Sequence, residues 1–180
     1  MLNNCDDCIL KLTCKDYRRP QVYGNLFSNN LIVIPYIDAD KIEDDEGVKE
    51  ILQALNSSTG DERPDLCIVP MLQCCPNNIQ YEVVTQYYVD CLKRTLAYYK
   101  IQAKKHLLLC GRQSVNMFMS ADDIYQLDNI CFNIGGQHIV MTYSPRIKFI
   151  DDTKSNIFTN HLIKWYNAAI NNDFSMYKII

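Results

Sequence analysis

Cysteine is the residue type in this chain with the most chemistry to offer, since nine occur among 180 residues. A thiolate can serve as a nucleophile, a metal ligand or one half of a disulfide. Nine thiols cannot all pair with one another, and the polar start from Met1 to Asp7 lacks the apolar core of a secretory signal. We therefore expect an intracellular, cytoplasmic protein with reduced thiols. Buried small side chains, a catalytic thiol and metal ligands remain as roles.

The surroundings of the cysteines separate two groups. Cys67, Cys110 and Cys131 lie in apolar, strand-like runs, which predicts that they are core residues. Cys5 and Cys8 form a C-x-x-C in a polar stretch, where no apolar periodicity explains burial. A polar environment of this kind is typical of cysteines that bind a metal.

A four-thiolate site follows from the remaining cysteines. Cys74 and Cys75 come between an apolar run and Pro76, and Cys91 lies in the predicted helix that follows. Two thiolates from one loop and two from distant segments suit zinc or an iron–sulfur cluster, which spacing alone does not separate. The candidate ligands are Cys5, Cys8 and Cys91 together with one of the neighbours Cys74 and Cys75, and Cys14 is a further candidate.

The elements that must position these side chains alternate along the chain. Four apolar runs predict buried strands, and amphipathic stretches between them predict helices, including long ones over 79–100 and 153–171. This order predicts an α/β protein with three α/β/α layers and a central, mostly parallel four-stranded sheet. We expect one domain over 1–180, with a cluster-binding loop at 1–23 and a C-terminal tail at 172–180. The tail is either a docking segment or a strap over the core. The predicted strands are Leu31–Ile34, Leu66–Val69, His106–Cys110 and Gln137–Tyr143.

Charge and composition exclude some classes of partner. Eighteen basic against 21 acidic residues give a net charge of −3, so unspecific adhesion to nucleic acid is not expected. No apolar run is long enough to cross a bilayer, so we expect no membrane partner. The Asn-, Ile-, Lys- and Tyr-rich composition is typical of an AT-rich genome, such as that of a phage or a low-GC bacterium.

Ligands of parallel sheets bind beyond the carboxyl ends of the strands. The loops there are predicted at 35–40, 70–75, 111–112 and 144–146. Asp38 and Asp40 could activate a water molecule, and the acidic run they begin, up to Glu46, is otherwise a solvated helix start. His138 lies within a strand rather than at its end, which favours a structural role.

The order of these motifs resembles the iron–sulfur uracil-DNA glycosylases, families 4 and 5 of the uracil-DNA glycosylase superfamily. The resemblance extends from Cys5 to about Trp165. It rests on the C-x-x-C, on Leu10-x-x-Thr13-Cys14, on Gln73-Cys74-Cys75-Pro76 beside the family's Lys-Cys-Arg-Pro, and on Cys91. Weaker matches are Glu43-Asp44 with Gly47, Leu109-Cys110-Gly111-Arg112, and Thr142-Tyr143-Ser144-Pro145-Arg146 beside the family's Thr-Tyr-His-Pro-Ser. The resemblance implies a [4Fe–4S] cluster ahead of zinc, with Cys5, Cys8, Cys74 and Cys91 as its ligands and Cys75 and Cys14 as alternates.

The family's catalytic residues have no counterparts at the matching positions. Its Gly-Glu-Ala-Pro-Gly loop corresponds to residues 34–40, which contain no glycine, and its uracil-reading Asn corresponds to Val69-Pro70. Ser144 stands where the family has a His that stabilises the departing base. The base-stacking Phe has no counterpart around Val48.

These departures favour binding over catalysis. We expect a catalytically degenerate glycosylase-like protein that binds DNA, or another protein of a replication or repair assembly. The residues expected to contact DNA are Arg112, Ser144, Arg146 and Lys148. The alternative is an active, divergent glycosylase for uracil or another damaged base. In that enzyme Asp38 or Asp40 would activate water and Arg146 would balance the leaving group.

Overall fold

The computed structural model describes residues 20–73, 81–117 and 127–180. Cys5, Cys8, Cys14, Cys74 and Cys75 lie outside the described residues. The predicted cluster-binding loop can therefore be followed only from Pro20 onward.

Seven strands form one sheet in the order β1-β3-β2-β4-β6-β5-β7. The four central strands, β3, β2, β4 and β6, are parallel and correspond to the four predicted apolar runs. The predicted number of four is wrong, because three short strands extend the sheet: β1 pairs antiparallel with β3, β5 antiparallel with β6, and β7 parallel with β5. The strands are β1 Tyr23–Gly24, β2 Asn30–Tyr36, β3 Cys67–Leu72, β4 His106–Cys110, β5 Ile130–Ile134, β6 Gln137–Thr142 and β7 Lys178–Ile179.

Helices pack on both faces of the sheet, which explains why its central strands are continuous apolar runs. Met71 of β3 accepts a hydrogen bond from Ser114 of α3, whereas Thr142 of β6 contacts His161 of α4. The strand register places Met71 and Thr142 on opposite faces, so α3 and α4 cover different sides. The helices are α1 Glu46–Thr59, α2 Tyr81–Tyr98, α3 Arg112–Val115 and α4 Asp152–Asn171, with 3-10 turns at Ile42–Asp44 and Pro145–Phe149.

The three cysteines predicted as core residues are buried. Cys67, Cys110 and Cys131 have no exposed side-chain surface. Burial raises the pKa of the Cys67 thiol to about 11 and that of Cys131 to about 11, and it raises the pKa of Cys110 as well. These thiols are therefore protonated, inert packing groups at neutral pH.

The C-terminal tail packs on its own chain. Phe174 and Tyr177 are buried, and Lys178 and Ile180 donate backbone hydrogen bonds to the carbonyls of Asn129 and Cys131. Of the two predicted roles, the observed contacts are those of a strap over the core.

Candidate functional site

The carboxyl ends of the parallel strands form the candidate site. β2 has β3 on one side and β4 on the other, so the direction of strand order reverses at β2. In open α/β sheets the ligand crevice lies beyond the strand ends at such a switch point. The loops after β2, β4 and β6 meet there.

Gly111 shows how closely these loops pack. Its φ of 84° lies in the left-handed region, and a Cβ at this position would lie 2.9 Å from Cγ of Pro35 and 3.3 Å from Cβ of Ser144. Only glycine combines this backbone conformation with this approach. The predicted site segments around Pro35, Gly111 and Ser144 are thus brought together.

Asp45 is the central acidic side chain of the site. It caps α1, because its Oδ1 accepts hydrogen bonds from the backbone N–H groups of Gly47 (2.9 Å) and Val48 (3.2 Å). Its Oδ2 accepts from the backbone N–H of Asp38 (2.7 Å) and pairs with the guanidinium of Arg146. The carboxylate is completely buried, although the sequence placed it in a solvated acidic run. The signal that could have found it is the position directly before an amphipathic helix.

Arg146 joins the loop after β6 to α1. Its side chain is only 18% exposed, pairs with Asp45 and lies over the Tyr36 ring, 5.0 Å from the centroid. Ser144 accepts a hydrogen bond from the backbone N–H of Arg146 (3.3 Å) and so caps the 3-10 turn. Two residues predicted to contact DNA therefore also hold this loop in place.

The outer rim of the site carries Lys148, Phe149 and Ile150. Lys148 pairs with Glu50 of α1 and lies 5.2 Å from the centroid of the Phe149 ring. Phe149 is 61% exposed and Ile150 82% exposed. No periodic pattern around these positions predicts that the two apolar side chains are exposed.

The carboxylates predicted as fallback catalysts sit in an open loop. Asp38 and Asp40 are both exposed. The loop is anchored from its backbone: Asp38 N–H donates to Asp45, and the Asp40 carbonyl accepts from the side chain of Gln21 (2.9 Å). Neither side chain is enclosed as a general base usually is.

Gln73 connects the three chain segments that carry the predicted cluster ligands. Its Oε1 accepts from the backbone N–H of Gln21 (2.7 Å), and its Nε2 donates to the Gln21 carbonyl (3.1 Å) and to Thr95 Oγ1 (3.2 Å). Thr95 in turn donates to the carbonyl of Cys91 (3.0 Å). The N-terminal segment, the residue before Cys74 and the Cys91 turn of α2 are thereby held together.

Cys91 is the one predicted ligand inside the described ranges. It lies on α2 with a partly exposed side chain, unlike the three core cysteines. Residues 20–73, 81–117 and 127–180 by themselves contain no cluster of three His, Cys, Asp or Glu side chains suited to a metal ion.

Two of the described basic residues, Lys104 and Arg112, lie at opposite ends of the sheet. Lys104 lies just before β4, at the amino end of the sheet, where its buried Nζ donates to the Leu26 carbonyl (2.6 Å). Arg112 is exposed at the start of α3, close to the carboxyl end. A phosphate-binding stripe along one face is therefore not formed by these side chains.

Comparisons with known proteins found no protein-family model and no curated protein that matches this chain. Within the described ranges, no helix has the length and apolar character needed to span a membrane.

Proposed function

We propose that this chain is a catalytically degenerate protein of the iron–sulfur uracil-DNA glycosylase type that acts as a binding subunit for DNA, or for another protein, in replication or repair. Its single-domain α/β/α architecture would hold a [4Fe–4S] cluster beside the sheet. The mixed α/β fold with its central parallel strands and its switch point at β2 is compatible with this assignment.

The proposal is supported by the ion pairs at the carboxyl ends of the strands, which already engage two basic side chains there. Arg146 is committed to a buried ion pair with Asp45, and Lys148 is paired with Glu50. A glycosylase needs a positioned water and a group that stabilises negative charge on the departing base. Here Ser144, at the position of the family's His, is the cap of a 3-10 turn. Phe149 and Ile150, next to these paired charges, offer exposed apolar surface to a ligand.

Apolar side chains beside a cation are suited to nucleic acid as well as to protein. Phenylalanine and isoleucine can insert between base steps, and they are also favourable anchors at protein interfaces. Because the neighbouring cations are already paired, we expect stacking and apolar contact to dominate over phosphate contacts.

The Gln73 network supports the cluster ligands. It joins Gln21 to Gln73, which precedes Cys74 in the sequence, and through Thr95 to the backbone of Cys91. This linkage supports a single site for Cys5, Cys8, Cys74 and Cys91. A bound cluster would cross-link these three segments and supply a one-electron redox centre. Zinc would supply the cross-link alone.

A binding assay with matched aromatic variants tests the proposal. Phe149→Ala should weaken binding of a single-stranded or duplex oligonucleotide at least tenfold, since stacking contributes about 1–3 kcal/mol per base. Phe27 is the control, because it is 93% exposed and precedes β2 at the amino end of the sheet. Phe27→Ala should bind like the unmodified protein.

The salt dependence of oligonucleotide binding measures how many phosphate contacts the protein makes. With few phosphate contacts, the slope of log K against log salt should be shallower than about −3, at roughly 0.9 per phosphate. If no oligonucleotide binds, the DNA form of the proposal is wrong. The protein form then requires a co-purifying replication or repair protein that is lost with Phe149→Ala and kept with Phe27→Ala. Failure of both forms overturns the proposal.

A further inference from the structure

A row of polar side chains crosses the amino ends of the parallel strands, away from the candidate site. Asn30 of β2 is paired with His106 of β4, and His106 with His138 of β6, so the three side chains are neighbours on one face. Asn30 Oδ1, His106 Nδ1 and His138 Nδ1 are buried, and no protein group in the described ranges forms a hydrogen bond with any of them. Buried polar atoms in this state are uncommon.

The C-terminal strap, residues 172–180, covers both imidazoles. The ring of Phe174 lies 4.3 Å from that of His138 and 5.1 Å from that of His106, centroid to centroid, while the imidazoles are 5.5 Å apart. Tyr177 follows at 5.8 Å from Phe174, and β7 then joins the sheet beside β5. The stack on the two histidines thus anchors the strap where it leaves α4.

The charged groups around the stack are mostly basic. Lys105 adjoins His106, and Lys164 of α4 lies 4.3 Å from the centroid of the Tyr177 ring. The nearest carboxylates are engaged elsewhere: Asp128 pairs with His161 Nε2 (2.6 Å), and Asp173 accepts from the backbone N–H of Ser175 (2.9 Å). The remaining charged groups on the packed elements are Lys104, whose Nζ donates to Leu26, and the exposed Lys178 and Asp65. No carboxylate among the described residues is thus hydrogen-bonded to either ring.

A shared metal ion does not fit these two histidines. Imidazole nitrogens bind a metal in the plane of the ring. The rings of His106 and His138 are inclined by only 17° and are stacked, so their lone pairs lie in separate, nearly parallel planes. A proton is the ligand that each nitrogen can take by itself.

We propose that the C-terminal strap is a pH-dependent latch, which the stack of Phe174 on the rings of His106 and His138 holds closed and which protonation of His106 releases. Protonation of His106 would create a cation whose buried Nδ1 has no acceptor among the described residues, next to a second imidazole and Lys105. Opening exposes both rings to water, where a charged imidazole is stable. Release frees the β5 edge and the buried side chain of Cys131.

The direction of the pH effect follows from the pKa of His106. Burial, followed by the proximity of His138 and Lys105, lowers the pKa of His106 to about 4, from an ordinary value of 6.5. The closed latch therefore has its full stability above pH 6.5 and loses it as the pH falls from 6.5 toward 4. Between pH 8 and pH 5 the opening equilibrium should rise about 30-fold for this one histidine.

Hydrogen exchange on the full chain measures the opening directly. The protection factors of the Lys178 and Ile180 amides, corrected for intrinsic exchange rates, should fall about 30-fold from pH 8 to pH 5. Amides of β2 and β4 should keep their protection over this range. The double variant His106→Gln plus His138→Gln should remove the dependence. His161→Gln, at the third histidine of the chain, should retain it.

A second measurement covers the case in which the double variant does not fold. In the unmodified protein, NMR should show His106 titrating well below pH 6.5, together with shifts of the strap resonances in the same range. The latch is refuted if strap protection is independent of pH or if its dependence persists in the double variant. Titration of His106 near pH 6.5 would refute it equally.

Discussion

At the scale of single residues, the candidate site is built from charges that stabilise one another. Asp45 accepts from the α1 N-terminus, from the Asp38 backbone and from Arg146, while Arg146 also lies over Tyr36. A buried carboxylate is tolerated when all its acceptor positions are used in this way. The arrangement fixes the loop after β6 against α1, and it leaves the guanidinium little freedom to move toward a substrate.

Removing Arg146 should show how strongly the buried Asp45 carboxylate destabilises the fold when its counter-charge is missing. Arg146→Met leaves Asp45 without its counter-charge, which should lower the free energy of unfolding by about 3–5 kcal/mol. Lys148→Met is the matched control, because the Lys148–Glu50 pair is more exposed and should contribute only about 0.2–1 kcal/mol. Urea denaturation measures both. Equal losses in the two variants would contradict the assignment of Asp45 and Arg146 as the buried pair.

Cys91 is the residue that tests the cluster within the described structure. Protein purified without oxygen should be brown, with about four irons and four sulfides per chain. Cys91→Ser should lose iron and colour, whereas Cys67→Ala, which removes a core thiol, should lose some stability but keep both. A colourless protein with one zinc would show that the site binds zinc and not an iron–sulfur cluster. Full iron retention in Cys91→Ser would show that Cys91 is not a ligand.

At the scale of elements, the loops after β2, β4 and β6 depend on a glycine for their close contact. Gly111→Ala would place a Cβ 2.9 Å from Pro35 in a left-handed conformation, so the loops would have to separate. We expect a loss of about 1–3 kcal/mol in the free energy of unfolding. Gly135→Ala is the control, since Gly135 also has a positive φ, of 60°, but no atom within 4 Å of the added Cβ. A Gly135→Ala loss as large as that of Gly111→Ala would mean that the backbone conformation alone accounts for the effect.

Sequence patterns predict the elements in which burial is continuous. β2, β3, β4 and β6 were predicted because both faces of each are covered, so apolar residues run without interruption. β1 and β7 have two residues each, and β5 mixes buried and exposed positions, so no periodic signal distinguishes them from loops. The burial of Asp45 among five other acidic residues depends on Arg146, about a hundred residues away, and local patterns do not encode that contact.

At the scale of the whole molecule, the two ends of the sheet have different chemistry. The carboxyl end carries the paired charges and the exposed Phe149 and Ile150, while the amino end carries the histidine row, Lys104 and the strap. Among the described basic residues, Lys104 lies at the amino end, whereas Arg146 and Lys148 lie at the carboxyl end.

The molecule as a whole should bind without excising a base. Oligonucleotides containing uracil, hypoxanthine or xanthine should remain intact at enzyme-like protein concentrations, because Asp38 and Asp40 lie in an open loop and Arg146 is held by Asp45. Alkaline cleavage of the product strand measures any excision. Asp38→Asn plus Asp40→Asn should therefore leave the small background unchanged, as should Glu43→Gln plus Asp44→Asn, a control pair of exposed acids in the same run. Turnover clearly above a protein blank that disappears only in the first double variant would establish a divergent glycosylase, and binding would then be one step of its catalytic cycle.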